Sequence, residues 1–125
     1  MPSKLEHINL TVSDTDVTAN IIGKIFNWKV RWSGPAKDNG RTIHLGEEET
    51  YLALYSHTDK HLADTSHKTI KQLNHIGIVV DDLDATEEKV KAAGFVTHNH
   101  GDYEPGKRFY FNLDDGLEIE VVCYQ

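Results

Sequence analysis

The sequence predicts an α+β fold made of two tandem βαβββ units, which together would form a curved mixed sheet around a cleft. The first observation is that residues 5–12, Leu-Glu-His-Ile-Asn-Leu-Thr-Val, align without a gap with residues 73–80, Leu-Asn-His-Ile-Gly-Ile-Val-Val. The second is that residues 51–55, Tyr-Leu-Ala-Leu-Tyr, align with residues 118–122, Glu-Ile-Glu-Val-Val, in the same order along the chain. Two such matches argue against a chance likeness between short apolar strings, so we interpret the chain as a duplication.

The first unit opens with a strand at residues 4–12 and continues into a helix. The helix is expected to begin near Ser13 or Asp14, because either side chain can accept a hydrogen bond from the free N–H groups of the first turn. Apolar residues recur at helical spacing on one predicted face. That face consists of Val17, Ile21, Ile25 and Phe26. Three strands are predicted to follow, at residues 28–33, 41–46 and 50–56.

The second unit repeats this order, with a strand at residues 72–80 and a helix that begins at Asp82. The helix is expected to stop at Gly94, since glycine is common just after the end of a helix. Three strands complete this unit, at residues 95–100, 107–113 and 117–123.

We expect a single domain over residues 1–125, with the repeat units at residues 1–56 and 72–125. Residues 57–71 are polar and lack periodicity, which indicates a linker between the units. The linker contains three histidines, which are expected to be solvated loop side chains. They are His57, His61 and His67.

Composition excludes several classes of partner. Lys and Arg total 13 against 20 Asp and Glu, a formal net charge of −7, whereas nucleic acid and anionic membranes require a basic face. No apolar run approaches the length of a membrane span, and the N-terminus lacks a signal-peptide core. The lone cysteine, Cys123, has no partner for an internal disulfide, so we expect a cytoplasmic protein.

The last strand contains a carboxylate that requires an explanation. Residues 107–123 resemble a hairpin, because Asp115-Gly116 between apolar runs is a strong turn signal. Alternation places Arg108 and Tyr110 on the face opposite to the neighbouring phenylalanines. Glu120 stands among apolar residues, where burying a carboxylate is costly unless something binds it.

Two histidines and this glutamate form a candidate metal site. His7 and His75 occupy equivalent positions of the matched strands, on the face opposite to the apolar residues. With Glu120 they would form a set of two His and one carboxylate, which leaves coordination positions open and suits Fe(II) or Mn(II). Each residue alone also has a structural explanation, as a hydrogen-bonded strand histidine or a carboxylate on an exposed face, and spacing leaves both open.

The chain resembles the vicinal-oxygen-chelate superfamily, which includes glyoxalase I, fosfomycin-resistance thiol transferases, bleomycin-resistance proteins and extradiol dioxygenases. The resemblance covers essentially the whole chain and is clearest in the strands that carry His7 and His75 and in residues 109–120. The last stretch resembles the family's aromatic strand, its Asp-Pro-Asp-Gly turn and its metal-binding Glu, with Leu113-Asp114 in place of the usual Asp-Pro.

The resemblance implies that His7, His75 and Glu120 bind one divalent ion (Fe, Mn, Ni, Co or Zn), which chelates adjacent oxygens of a small-molecule substrate. Two departures from the family's motifs narrow the range of activities that the resemblance implies. Ala53 stands where glyoxalase I carries a fourth protein ligand, and the loop at residues 99–106 lacks the lysine with which fosfomycin enzymes bind phosphonate.

Further site residues are expected on the same strands. Tyr110 is a candidate catalytic residue with Glu120, because a phenol beside the metal could act as an acid or base. Arg108 and Arg41, aligned as duplicates, could hold an anionic group. His98 and His100 lie two residues apart on one predicted strand, and His100 is the preferred candidate for substrate binding. The candidates for substrate binding are Arg108, Arg41, Tyr51, Tyr55, Trp32 and His100.

The function implied is that of a metal-dependent dioxygenase or lyase/isomerase acting on a small oxygen-rich metabolite. The alternatives are a metal-free, bleomycin-resistance-type binding protein and a relative with a vestigial site. A homodimer with sites shared between chains is expected, because each βαβββ unit forms only half of a curved sheet. The linker is long enough for the paired units to come from one chain or from two.

Overall fold

Both halves of the chain fold as βαβββ units, as the duplication predicts. The structure is a computed structural model that describes residues 1–62 and 67–124. The chain divides into two compact units, Met1–His61 and Leu62–Gln125. In each unit a four-stranded mixed sheet packs one face against a single helix. No helix among the described residues is long and apolar enough to cross a membrane.

The first unit contains four strands, one helix and a short 3-10 turn at Lys37–Asn39. Its elements are β1 (His7–Thr11), α1 (Thr15–Phe26), β2 (Lys29–Ala36), β3 (Gly40–Gly46) and β4 (Tyr51–Ser56). The strand order is β1-β4-β3-β2, in which β1 and β4 are parallel and the other pairs antiparallel.

The second unit has the same topology. Its elements are β5 (His75–Val79), α2 (Leu83–Ala92), β6 (His98–Tyr103), β7 (Gly106–Asn112) and β8 (Glu118–Cys123). The strand order is β5-β8-β7-β6, again with one parallel pair, β5 and β8. The predicted helix boundaries are confirmed at both caps and at Gly94, which has a φ of 97°.

Helix α1 buries a different face from the one predicted. Asp14 caps it, because its side chain accepts a hydrogen bond from the Val17 amide at 3.0 Å. Val17, which was placed on the predicted apolar face, is 52% exposed. The helix packs against the sheet with small residues as well as large ones, so its buried face differs from the row of large apolar residues used for the prediction. The buried residues are Thr15, Ala19, Ile22 and Ile25.

The two faces of each sheet have different characters. The face against the helix is mostly apolar, and its large apolar side chains are buried. Its members include Ile43, Leu45, Leu52 and Leu54 in the first unit and Phe109, Phe111, Ile119 and Val121 in the second. We call the other side of each sheet its open face. The open faces carry the histidine, tyrosine and carboxylate side chains predicted as site residues, except His100, which contacts helix α2.

Part of the predicted linker is ordered by side-chain contacts. His57 Nε2 lies 2.5 Å from the Asp38 carbonyl oxygen, and its Nδ1 accepts a hydrogen bond from the Asp59 amide. His67 Nε2 lies 3.3 Å from Glu118 Oε1. His57 is therefore half-buried, which differs from the expected solvated loop histidine, whereas the His67 side chain is 54% exposed, as expected. Linker residues 63–66 lie outside the described residues.

Candidate functional site

Four predicted site residues meet on the open face of the second sheet. His75 Nε2 lies 3.1 Å from Glu120 Oε1, and Arg108 Nη1 donates to Glu120 Oε2 at 2.8 Å. The rings of Tyr110 and His75 are nearly perpendicular, with centroids 6.0 Å apart. The strand pairings thus bring His75, Glu120, Arg108 and Tyr110 into one cluster, which we call the second-unit cluster.

Strand register explains how this cluster forms. Tyr110 lies directly opposite Glu120 across the β7–β8 pair, and Gly77 lies opposite Glu120 across the β5–β8 pair. No heavy atom lies within 4 Å of where a Cβ of Gly77 would be, among the described residues. Glu120 is therefore flanked by an aromatic ring on one side and by free space on the other.

The charge on Glu120 is balanced within the cluster. The side chains of Glu120 and Arg108 are both only 12% exposed, and a buried carboxylate is tolerated when a cation is hydrogen-bonded to it. Arg108 also lies over the ring of Tyr103, 4.8 Å from its centroid. Burial, and next the Glu120 carboxylate, raise the pKa of the Tyr110 phenol, so Tyr110 stays protonated at neutral pH.

Both predicted histidine ligands are held through Nδ1. His75 Nδ1 lies 2.7 Å from Asn74 Oδ1, and His7 Nδ1 lies 2.9 Å from Glu6 Oε1. Asn74 and Glu6 immediately precede the histidines in the matched strands. Histidines that bind metals are commonly oriented by such a contact on the other ring nitrogen. The arrangement leaves Nε2 of each imidazole as the atom that a metal would use.

On the open face of the first sheet, each strand contributes one ring to a continuous row. The ring of Tyr51 is stacked between those of His7 and His44, at centroid distances of 5.0 and 4.6 Å. Trp32 follows at 5.3 Å from His44. The guanidinium of Arg31 lies 4.5 Å from the Tyr51 centroid. The row places the predicted site residues His7, Tyr51 and Trp32 side by side on one surface.

Sequence reasoning missed His44. It lies opposite Ala53 across the β3–β4 pair, as Tyr110 lies opposite Glu120 in the second unit. Alternation along β3 would have placed it on the open face, but the sequence alignment of the two units was one residue out of register at this strand.

The other side chains around Tyr51 are also fixed. Glu6 accepts a hydrogen bond from the Tyr51 hydroxyl at 3.2 Å, and its contacts with His7 and Tyr51 lower the pKa of Glu6. Tyr55 instead donates to the Lys37 carbonyl oxygen at 2.9 Å. Ala53 is buried between them at 2% exposure. These contacts place Tyr51 toward His7 and Tyr55 toward the turn before β3.

The supposed equivalence of Arg41 and Arg108 was wrong by one residue. Arg41 pairs with Ser56 across its strands as Lys107 pairs with Cys123, so Arg41 corresponds to Lys107. Arg41 consequently lies on the helix side, where it makes two 3.0 Å hydrogen bonds to Asp16 of α1. This contact lowers the pKa of Asp16. Substrate binding by Arg41 stays a prediction.

A bulge separates His98 from His100. The β6–β7 register shifts after His98, and Asn99 has a φ of 53°, so the two histidines do not share a face as alternation predicted. His100 Nε2 lies 2.7 Å from Glu87 Oε2 of α2. His98 is stacked on Tyr110 at 6.3 Å, on the open face. Substrate binding by His100 also stays a prediction.

The predicted metal ligands come from both units, and the structure shows where each ligand lies within its own unit. His7 is on the open face of the first sheet, while His75 and Glu120 are adjacent on that of the second. Over residues 1–62 and 67–124, no group of three or more His, Cys, Asp or Glu side chains is arranged to hold a metal ion. Glu47, in the turn between β3 and β4, accepts hydrogen bonds from the Thr50 amide and hydroxyl groups.

The chain has relatives among known families and solved structures. A model of the Glyoxalase/Bleomycin resistance protein/Dioxygenase superfamily matches residues 4–121. A glyoxylase/bleomycin resistance protein/dioxygenase domain from Frankia sp. EAN1pec is 24% identical, with 100% of both chains covered and a TM-score of 0.84. No curated protein matches the chain.

Fosfomycin resistance proteins share the fold as well. FosX from Listeria monocytogenes is 21% identical over 100% of this chain and 96% of its own, with a TM-score of 0.80. The same protein solved with Mn(II) and a sulfate ion is 22% identical, with 100% and 95% covered and a TM-score of 0.74. At these identities the likeness shows the fold alone.

Proposed function

Because this chain belongs to the Glyoxalase/Bleomycin resistance protein/Dioxygenase superfamily, we propose that it is a divalent-metal-dependent enzyme acting on a small oxygen-rich metabolite. The observation that carries the proposal is the pairing of His75 with Glu120. His75 Nε2 and Glu120 Oε1 are 3.1 Å apart, while Asn74 fixes the other nitrogen of the imidazole.

The donor atoms fit a divalent ion. Two ligand atoms in neighbouring positions of an octahedral ion, with bonds of about 2.1 Å, are roughly 3 Å apart. The separation of His75 Nε2 and Glu120 Oε1 matches that spacing. His7 is proposed as the third ligand, since Glu6 orients it as Asn74 orients His75. The binding of Mn(II) by FosX, a protein of the same fold, supports a divalent ion here.

The bound ion would supply Lewis-acid chemistry at adjacent substrate oxygens, or activation of dioxygen. The chain's own residues would bind the substrate and move protons. Tyr110 is a protonated phenol beside Glu120 and can donate a proton or a hydrogen bond. Tyr51 and Trp32, in the aromatic row of the first unit, would form a wall against the substrate. The reaction would be of the dioxygenase or lyase/isomerase type.

A metal-free binding protein is the second candidate, and one observation favours it. Arg108 already neutralises Glu120 through a buried ion pair with an oxygen–nitrogen distance of 2.8 Å. A carboxylate balanced in this way needs no metal to be stable in the folded protein. The same open-face residues would then hold a ligand without catalysis.

Metal analysis of protein purified without chelators tests the proposal. The wild type should contain close to one divalent ion per site, and His75→Ala should abolish this uptake because it removes a ligand. His100→Ala is the matched control, since this strand histidine contacts α2 and should leave metal content unchanged. Full metal content in the His75→Ala variant, with a wild-type circular dichroism spectrum, would contradict the assignment.

A further inference from the structure

We infer that the aromatic row of the first unit binds a planar aromatic acid, with the ring of the ligand stacked on Trp32 and its carboxylate held by the Arg31 guanidinium. The row and Arg31 lie wholly within the first unit, so this site needs no residue of the second. The inference names a substrate class for the proposed function, and it rests on that proposal in so far as the bound acid is a substrate.

A bulge in β2 places a cation and an aromatic ring side by side on the open face. The pairing of β2 with β3 gains one residue, Arg31, between Val30 and Trp32. The Arg31 guanidinium lies 4.5 Å from the Tyr51 ring centroid. The Trp32 ring, next in sequence, lies 5.3 Å from that of His44 on the same face. Successive residues of a regular strand point to opposite faces, so the extra residue is what brings both side chains to one face.

The second unit does not repeat this arrangement. His98 pairs with Tyr110 as Trp32 pairs with His44, but the irregularity follows His98 whereas it precedes Trp32. Strand β6, His-Asn-His-Gly-Asp-Tyr, also contains no lysine or arginine. The bulge with its cation is therefore a feature of the first unit and is not required by the shared topology. Bulges that re-aim a side chain are common beside functional sites.

The Arg31 guanidinium is available to an anion. Arg31 is exposed, and the ion pairs within residues 1–62 are made by other cations. A hydrogen bond to His7 is the main cause of the lowered pKa of Glu6, to which the charge of Arg31 contributes only a small part. A hydrogen bond to Thr50 is likewise the main cause of the lowered pKa of Glu47. Both carboxylates are thus engaged by other donors, and the N–H groups of Arg31 have no carboxylate acceptor in the described part of the chain.

Trp32 provides a flat apolar surface beside this cation. It is 52% exposed, and its ring lies over Gly34, where an added Cβ would be 3.1 Å from Trp32 Cζ2. The glycine therefore leaves room for the indole to lie against the strand. Because β2 is at the edge of the first sheet, no further strand of that sheet covers the ring. A large aromatic ring of this kind stacks on flat apolar ligands.

Charge selects among the flat ligands that could stack there. An aromatic cation would be repelled by Arg31, and a neutral ring would leave the guanidinium without an acceptor. A planar carboxylate matches the fork of guanidinium donors in both geometry and charge. The chain as a whole has a formal net charge of −7, so general attraction of anions does not account for binding at this position.

The probe for this inference is 2-naphthoate, added to protein freed of metal with EDTA so that the carboxylate has no ion to bind. The wild type should bind it with a Kd of about 1 mM or lower, a range expected for a ligand of this size. Binding should shift the indole N–H resonance of Trp32 in nitrogen-15 NMR spectra. Two analogues separate the contributions: 2-naphthalenemethanol retains the ring without the charge, and cyclohexanecarboxylate retains the charge without the aromatic face. Both should bind more weakly than 2-naphthoate.

Two variants test the named residues. Arg31→Gln should weaken 2-naphthoate binding about tenfold, because a charge-assisted hydrogen bond is lost. Trp32→Leu should weaken it about fivefold, because an apolar side chain remains but the aromatic face does not. Lys24→Gln is the matched control, since it removes the same charge from helix α1 and should leave the Kd unchanged.

Equal binding by the wild type and Arg31→Gln, or equal binding of 2-naphthoate and its neutral alcohol, would overturn the inference. So would a folded wild type that shows no binding at about 10 mM 2-naphthoate. If Trp32→Leu also converted an oligomer into a monomer in light scattering, the face would be an interface between chains instead. Uptake of Mn(II) without 2-naphthoate binding would refute the inference and leave the proposed function standing. Binding of 2-naphthoate by a protein that takes up no Mn(II) would support the inferred site while the proposed enzyme fails.

Discussion

At the scale of single residues, Glu120 shows how a charge becomes tolerable inside an apolar strand. Its neighbours along β8 are buried, and the carboxylate is accommodated by Arg108 and His75 on either oxygen. Removing one partner of a buried pair typically costs several kcal/mol, because the other charge is left uncompensated. The position is therefore stable only as part of a set.

Ala53 provides the reverse test of this principle. Ala53→Glu would place a carboxylate at a position with 2% exposure, opposite His44. No arginine would balance its charge, because Thr42 occupies the position that corresponds to Arg108. We expect the metal-free variant to lose roughly 3 kcal/mol of unfolding free energy, measured by urea denaturation. Ala53→Gln introduces a side chain of the same shape as glutamate but without its charge, so this variant should lose less unfolding free energy.

Added metal should change this result if position 53 can supply a fourth ligand. Saturating Mn(II) should then bind the Ala53→Glu variant more tightly than the wild type and recover much of its lost stability. Any oxygen-dependent or ring-opening activity should fall, because an open coordination position is taken. Equal Mn(II) affinity in the variant and the wild type would show that position 53 does not face the metal.

The sequence could predict which residues face each other in β7 and β8, because alternation and a clear Asp-Gly turn fix both strands. Tyr110 and Glu120 were placed together on this basis. It could not predict that Arg108 would take one oxygen of Glu120, since this depends on a side-chain conformation. His44 was missed for a different reason: alternation along β3 places it on the open face, but the alignment of the two units was shifted by one residue at this strand, and such a shift moves every side chain to the other face.

At the scale of elements, the second strand of each unit departs from regular pairing, β2 between Val30 and Trp32 and β6 between His98 and Gly101. The bulge in β6 turns His100 toward α2, although alternation alone places it beside His98. One extra residue in a strand is enough to reverse the faces that follow it. Bulges leave little trace in a sequence whose strand is as polar as β6, so this departure could not be predicted.

The contact between α2 and β6 predicts an acid-sensitive link. Glu87 of α2 accepts hydrogen bonds from Thr97 Oγ1 at 2.5 Å and from His100 Nε2 at 2.7 Å. Burial opposes ionisation of Glu87, but its hydrogen bonds with Thr97 and His100 outweigh it and lower its pKa. A carboxyl group with a lowered folded-state pKa stabilises the fold above its unfolded pKa, and this stability is lost as pH falls through the folded value.

The Glu87→Gln variant measures this link. At neutral pH it should lose about 1 kcal/mol of unfolding free energy, the scale of a partly exposed charge-assisted hydrogen bond. The difference from the wild type should shrink in acid, as the pH falls through the lowered pKa of Glu87 and the carboxyl group becomes protonated. Glu88→Gln, on the exposed side of the same helix, is the matched control. A difference that persists unchanged in acid would contradict the pKa argument.

At the scale of the whole molecule, duplication supplies two sheets whose open faces carry complementary parts of the proposed site. His7 lies on the first and His75 with Glu120 on the second. A site with all three ligands therefore requires an open face of each kind to meet, within one chain or between two. We propose the second arrangement, a homodimer in which each site takes His7 from one chain and the other two ligands from its partner.

Mixing two inactive variants distinguishes these arrangements. His7→Ala and Glu120→Ala are unfolded together, refolded and tested for Mn(II) binding. In a shared-site dimer, a mixed pair combines the intact His7 of one chain with the intact His75 and Glu120 of the other. Random pairing makes about half of the dimers mixed, and each has one good site of two, so roughly a quarter of the wild-type metal content should return.

The decisive control is a second mixture, His75→Ala with Glu120→Ala. Both changes fall in the second unit, so every site in a shared-site dimer receives one of them and no metal binding should return. Sites formed within single chains would leave both mixtures without metal, because every chain carries a defect. Recovery in the first mixture alone would therefore establish that sites are shared between chains. Light scattering that shows a monomer would exclude sharing, because an exchange of units requires a stable closed dimer.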